Sequence, residues 1–176
     1  MTQQNAALGP FEAVRECATL PSGTLLEGQD DGEAVLVFLL DEKLDAPSTI
    51  AEEAIHKSSE IQSPYAIPWS RTGETADGKV WLAAPGGDSE SYDVTCKGGG
   101  LTVAQGTQIG VDLSRALLAA KAVGQFHHTI GNAFIRITRG PGGALSARLC
   151  VFGFAGSLPA YRPLKKQDPF LGVPSY

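Results

Sequence analysis

The sequence predicts an α+β domain: antiparallel strands, two helices and many tight turns. Three observations carry that expectation. The chain has 176 residues, 43% hydrophobic and 19% charged, which is enough apolar surface for one core and argues against wholesale disorder. Short apolar or alternating runs bounded by Gly, Pro and Asp fill residues 11–40, 65–84 and 133–152, whereas helical periodicity is confined to 47–60 and 101–128. The 21 glycines and 11 prolines exceed ordinary usage and supply turns.

Residues 1–10 read as a loose leader ending in Gly9-Pro10. FEAVRECATL (11–20) is weakly strand-like, and Thr24–Gly28 is a second strand. Asp30-Asp31-Gly32 is a tight turn, because Asp-Gly supplies the positive φ that hairpins need. AVLVFLL (34–40) has the continuous apolar pattern of a strand buried on both faces, so these pieces form an antiparallel meander. PSTIAEEAIHKSSE (47–60) is the first helix, with Thr49 and Glu52 as a capping box. Pro64 and Pro68 hold an extended link. Strands are expected at 65–71 and 79–84, joined at Asp77-Gly78. PGGDSESYDVTCKGGG (85–100) reads as a linker or hinge with one short strand at Tyr92–Cys96.

Residues 101–128 carry the strongest helical signal, opened by a Thr102/Gln105 capping box and running through Ile109, Leu113, Ala116, Leu117, Ala120 and Val123 to His127-His128, with Gly131 as the stop. Gly106, Gly110 and Gly124 are expected to weaken it by about 1 kcal/mol each. Strands AFIRIT (133–138) and ARLCVF (147–152) flank a GPGG turn. The predicted division is a leader (1–10), a folded part (11–157) split into 11–85, 86–100 and 101–157, and a proline-rich extended tail (158–176).

The formal charge of -5 argues against a nucleic-acid binder, which needs a cationic face. No run reaches the roughly 18 apolar residues of a membrane helix, and no basic-then-apolar start marks a secretory signal. Cys17, Cys96 and Cys150 are an odd, scattered set, read as apolar fillers in a reducing cytoplasm.

The order of meander, helix, two strands, linker, long helix and hairpin resembles the small lobe of a protein kinase and the start of its large lobe. GEAVLVFLL (32–40) resembles the third kinase strand, Glu53 in IAEEA the helix glutamate, SPYAIP (63–68) the link to the fourth strand, and DGKVWLAAP (77–85) the fifth strand. FHHTIG (126–131) resembles the approach to the catalytic loop, and CVFGFAG (150–156) the segment holding D-F-G. The resemblance implies a kinase-like small lobe with a reduced large-lobe remnant, and it also implies that the chemistry is missing. LPSGTLLEG has only Gly23 and Gly28 in place of the glycine-rich loop. Phe38 stands where a phosphate-binding lysine belongs, which would leave Glu53 without a partner. No H-R-D can be placed, Asn132 reads as a turn residue, and Val151 replaces the metal-binding aspartate before Phe152 and Gly153. The expectation is a truncated pseudokinase-like domain with no catalytic residue, cofactor or metal.

Other constellations have plainer readings. Adjacent His127 and His128 point about 100° apart, which suits a helix C-terminus better than a shared metal, and His56 stands alone. Cys150 has no neighbouring base in sequence. The glycine clusters at 86–87, 98–100 and 140–143 lack P-loop context. Arg136, Arg139 and Arg148 read as a solvated hairpin face. In the tail, Tyr161, Arg162, Leu164, Phe170, Leu171, Val173 and Tyr176 are interleaved with four prolines, which keep the segment extended. It either docks on a partner or wraps over its own domain.

The functional expectation is a cytoplasmic, non-catalytic interaction or scaffold protein, a subunit of a larger assembly bound through its surface and tail. The alternatives are a sensor of an uncharged small molecule in a cleft at residues 83–100, or an unrelated enzyme.

Overall fold

The computed structural model describes residues 8–20, 22–41, 44–97, 99–127, 130–150 and 152–154. The leader residues 1–7, Gly98, His128, Val151 and the tail residues Tyr161, Arg162, Leu164, Phe170, Leu171, Val173 and Tyr176 lie outside them. The fold is α+β, with two antiparallel sheets.

Strands β1 (Glu12–Leu20), β2 (Gly23–Asp30) and β3 (Glu33–Leu40) form the expected meander. Asp31 (φ 49°) and Gly32 (φ 84°) turn the β2–β3 hairpin, as a primed two-residue turn requires. Strands β4 (Arg71–Glu74) and β5 (Val80–Pro85) make a second hairpin, and β5 pairs with β3, giving the order β1-β2-β3-β5-β4. Strand β3 is buried on both faces. Leu36, Phe38 and Leu40 enter the main core, while Val35 and Val37 join Phe11, Leu26, Trp81 and Ala83 on the opposite face. Each such side chain contributes about 1.5–3 kcal/mol by leaving water.

Helix α1 (Pro47–Ser59) packs Ile50, Ala51 and Ala54 inward. The expected capping box is absent. Ala46, at φ 51°, is the N-cap without a side-chain bond, and Pro47 opens the helix. Proline's fixed φ suits that first position and it has no N–H to satisfy, so Thr49 falls inside the first turn. The strand expected at 65–71 is also displaced. Pro64 and Pro68 cannot donate to a ladder, and only Ala66 makes an isolated bridge, to Leu149, before β4 begins at Arg71.

The linker expected at 85–100 is more ordered than its glycines suggest. It holds strand β6 (Ser89–Ser91) and a short helix α2 (Tyr92–Lys97), not a strand at 92–96. Thr95 anchors α2 by donating to Glu90 Oε1 at 2.9 Å. Helix α3 (Val103–Ala122) starts at the predicted Thr102/Gln105 capping box. It ends five residues before His127, because Gly124 (φ 72°) closes it: Gly124 N–H donates to Lys121 O and Gln125 N–H to Ala120 O, the bond pair of a Schellman cap. Gly124 is therefore the stop rather than a weak point.

A 3₁₀ turn (Asn132–Phe134) leads into β7 (Ile135–Arg139) and β8 (Leu145–Leu149), whose hairpin turns through Pro141–Gly143. The second sheet has the order β6-β7-β8. One apolar cluster joins the first sheet and α1 to Ile109, Ala116, Ala120, Ile137, Ala147 and Leu149. Among the described residues no helix is long and apolar enough to cross a membrane.

Candidate functional site

A cleft of about 300 Å³ opens between the two sheets, lined by Arg15, Glu27 and Gly28, by Ala34, Val35 and Leu36, and by Gly86, Ser89 and Arg136. Its back is set by Gly86, whose N–H donates to Ala34 O at 2.8 Å and where a Cβ would meet that oxygen at 2.9 Å. This bond carries the β3–β5 pairing one residue past Pro85, just before the chain enters β6.

Charge inside the cleft is organised around Glu27. One carboxylate oxygen accepts from Arg136 Nη1 and the other from Arg15 Nη2. The Arg136 side chain is only 4% exposed. Its Nη2 donates to Ser89 O at 2.6 Å and its Nε to Ser89 Oγ at 3.4 Å. Burial alone would push the Glu27 carboxyl up, but the hydrogen bonds and charges of the two guanidiniums outweigh it and hold the carboxyl below its usual value. The hydrogen bond to Glu27 likewise raises Arg15.

Arg148 lies directly across the β7–β8 ladder from Arg136, so both side chains stand on the same face of the sheet. It is half-buried. Its Nε is enclosed without a hydrogen-bond partner, and burial pulls its pKa below the usual arginine value. The thiols nearby are inert. Burial pushes Cys17 up to about 11 and Cys150 up to about 12, so neither is a thiolate at neutral pH.

Cys150 and the residues Phe152, Gly153 and Phe154 are held by His127, Trp69, Phe38 and α1. His127 Nε2 lies 2.7 Å from Cys150 O, and its ring meets Phe152 edge-on with centroids 5.1 Å apart. Trp69 Nε1 donates to Phe152 O at 2.9 Å. Gly153 (φ 93°) passes so close to α1 that a Cβ would lie 2.3 Å from Ala54 O. Phe154 meets Phe38, which is wholly buried, with ring centroids 5.2 Å apart and planes tilted by 55°.

Several expectations change here. Glu53 is not left alone, because Lys57 one turn later on α1 donates to it at 2.8 Å; an i,i+4 pair needs no lysine from β3. Arg136 is no solvated hairpin residue. Strand β7 is central in its sheet and its Arg136 reaches Glu27 on β2, whereas Arg139 is 56% exposed and pairs with Glu90. His127 is no helix-terminal residue, since α3 stops at Ala122. His56 faces Glu60 at 3.6 Å, and Asn132 Nδ2 donates to Asp93 at 3.0 Å. Among the described residues no three His, Cys, Asp or Glu side chains converge as metal ligands would.

Glu27 and Arg136 went unrecognised in the sequence as a pair. Their signal is faint: each is a charge inside a short apolar strand, of opposite sign, but 109 residues apart. No protein-family model matches the chain, and no curated protein matches it.

Proposed function

We propose that this chain is a non-catalytic, protein-kinase-like interaction protein, a subunit or regulator within a larger assembly. The element order supports the kinase-like part: a meander, a helix, a hairpin folded back beside β3, then a long helix and a second hairpin. Phe38 supports the non-catalytic part. The resemblance aligns it with the phosphate-binding lysine, and its ring is packed between Trp69 and Phe154.

The observation that carries the interaction reading is the apolar surface on α3 and the loop after it. Val103 is 89% exposed, Leu118 65%, Phe126 58% and Ile130 50%, with Val111 and Val123 beside them. Val103, Thr107, Val111, Ser114 and Leu118 follow three- and four-residue steps, so they form one stripe, opposite the Ile109, Ala116 and Ala120 face that packs inward. Exposed apolar side chains gathered on one helix face mark a contact surface. The exposed charges beside the stripe, Arg115 and Lys121, are basic, which suits a protein helix with acidic flanks. The tail residues Tyr161, Arg162, Leu164, Phe170, Leu171, Val173 and Tyr176 are the second contact in this proposal.

Pull-downs from native lysate with the full chain, Leu118→Asp and a chain ending at residue 157 test it. A stoichiometric partner is expected with the full chain, lost in Leu118→Asp while that variant melts within about 2 °C of the parent. Loss on truncation assigns a role to the tail. Absence of a stoichiometric partner, or its full retention by both variants, overturns the reading.

A further inference from the structure

We propose that Asp31-Gly32, the turn of the β2–β3 hairpin, is a site of spontaneous aspartate isomerisation. In this reaction the Gly32 nitrogen attacks Asp31 Cγ and forms a C–N bond. The carboxyl hydroxyl leaves as water with the nitrogen's proton, and the product is a cyclic succinimide. Water then opens the ring at either carbonyl. Attack at Cγ restores aspartate. Attack at the main-chain carbonyl leaves isoaspartate, with the main chain running through Cβ. One water is lost and one is taken up, so no oxidant or cofactor is needed.

The step requires an aspartate carboxyl that the fold does not hold, a following N–H that is not engaged, and room for the two to meet. Asp31 is exposed, and among the described residues its carboxylate makes no hydrogen bond or ion pair. The Gly32 N–H has no acceptor among them either. Glycine brings no Cβ to hinder the approach, and one built there would meet nothing within 4 Å. Asp31 is also held at φ 49°, a left-handed conformation that costs an L-residue free energy. Rerouting the main chain through Cβ removes that constraint.

Asp77-Gly78, the same dipeptide in the β4–β5 hairpin, shows the opposite arrangement. The Asp77 carboxylate accepts from the Thr75 hydroxyl and pairs with Lys79 at 3.2 Å. These contacts hold its carboxyl below the usual value and away from the neutral acid, the form that can lose water. The Gly78 N–H donates to Thr75 O at 2.9 Å. The two sites share a sequence and differ by fold, and only Asp31 is left free to react. Its product adds a methylene to a two-residue turn whose length fixes the strand register. Asp30 beside it accepts from Arg71, and Gln29 and Ala34 line the cleft, so isomerisation releases Arg71 and reshapes that end of the cleft. The inference uses neither the kinase-like reading nor the apolar stripe on α3, so the failure of either leaves it standing.

The test holds the full chain warm, below its melting transition, in mildly acidic buffer made with water enriched in heavy oxygen. Peptide mapping by mass spectrometry, with electron-transfer fragmentation to tell isoaspartate from aspartate, reads both sites in one sample. In the folded chain, isoaspartate and heavy oxygen are expected to accumulate at Asp31 and not at Asp77. In chain unfolded by urea both sites should react, because the contacts that protect Asp77 are gone. Asp31→Ser should lose the signal at that position, and the parent comparison of Asp31 with Asp77 stands without any variant. Amide chemical shifts of the isomerised chain, separated by chromatography, should move at residues 29–34 and 71. Absence of isoaspartate at Asp31 in the folded chain, accumulation at Asp77 as fast as or faster than at Asp31, or shifts confined elsewhere overturns the proposal.

Discussion

Glu27 joins the two sheets electrostatically, so its protonation state tells on stability. Its carboxyl is held below the usual value near 4.5. At neutral pH both folded and unfolded chains carry the charge, and the stabilisation from Arg15 and Arg136 is complete. As pH falls through the ordinary glutamate range the unfolded chain takes up its proton first, so stability is lost until the folded carboxyl protonates as well. Glu27→Gln removes the charge and leaves Arg136 buried without its partner. The gap in unfolding free energy between parent and Glu27→Gln should be widest near pH 7 and should narrow as pH drops below about 4.5. Urea unfolding at a series of pH values measures it, and a gap constant from pH 7 to pH 3 would contradict the electrostatic role.

Between elements, the tie that matters most is a buried carboxylate. Asp112 on α3 is 1% exposed and accepts from the Ala147 N–H at 3.0 Å, Gln108 Nε2 at 2.8 Å and the Ser146 hydroxyl at 3.4 Å, with Arg115 at 3.6 Å. It binds the helix to the backbone of β8. Asp112→Ala leaves the Ala147 and Gln108 donors without their acceptor and is expected to cost about 2–4 kcal/mol. Asp112→Asn, which still presents an oxygen, should cost less; chemical denaturation ranks them. Asp112 was invisible in the sequence, because an aspartate at that point of an amphipathic pattern reads as a polar-face residue. What was legible rested on local chemistry: Asp31-Gly32 at the first hairpin and Thr102 with Gln105 at the start of α3. What was misread depended on competition between local signals. Pro47 pre-empted the Thr49 cap, and Gly124, read as a weak point, proved to be a working C-cap.

At the scale of the whole chain, most of the strand and helix order could be read from periodicity, but β6, α2 and the cleft could not. Arg15, Glu27 and Arg136 become neighbours only once Arg136 on β7 reaches Glu27 on β2, and no local pattern encodes that meeting. The same packing bears on how the molecule unfolds. The sequence places a boundary near residues 86–100, yet the main apolar cluster runs unbroken from Leu25, Phe38 and Ile50 to Ile109, Ile137 and Phe152. Backbone bonds cross as well, Ile67 N–H to Leu149 O at 2.9 Å and Leu149 N–H to Tyr65 O at 2.8 Å. A core shared in this way cannot be lost from one side alone without exposing the other, so unfolding should be a single cooperative transition. Trp81 sits in the first sheet and Trp69 where that side meets Phe152, whereas α3 is the longest helix, so tryptophan fluorescence weights the first-sheet side and far-ultraviolet circular dichroism weights α3. Their thermal midpoints should coincide. Gly153→Ala, which forces a Cβ against Ala54 O and an L side chain into positive φ, should lower both midpoints together, at a backbone cost of about 1–2 kcal/mol before the clash is counted. A fluorescence midpoint that stays put while the dichroism midpoint falls, or the reverse, would show two independently melting parts and refute the shared core.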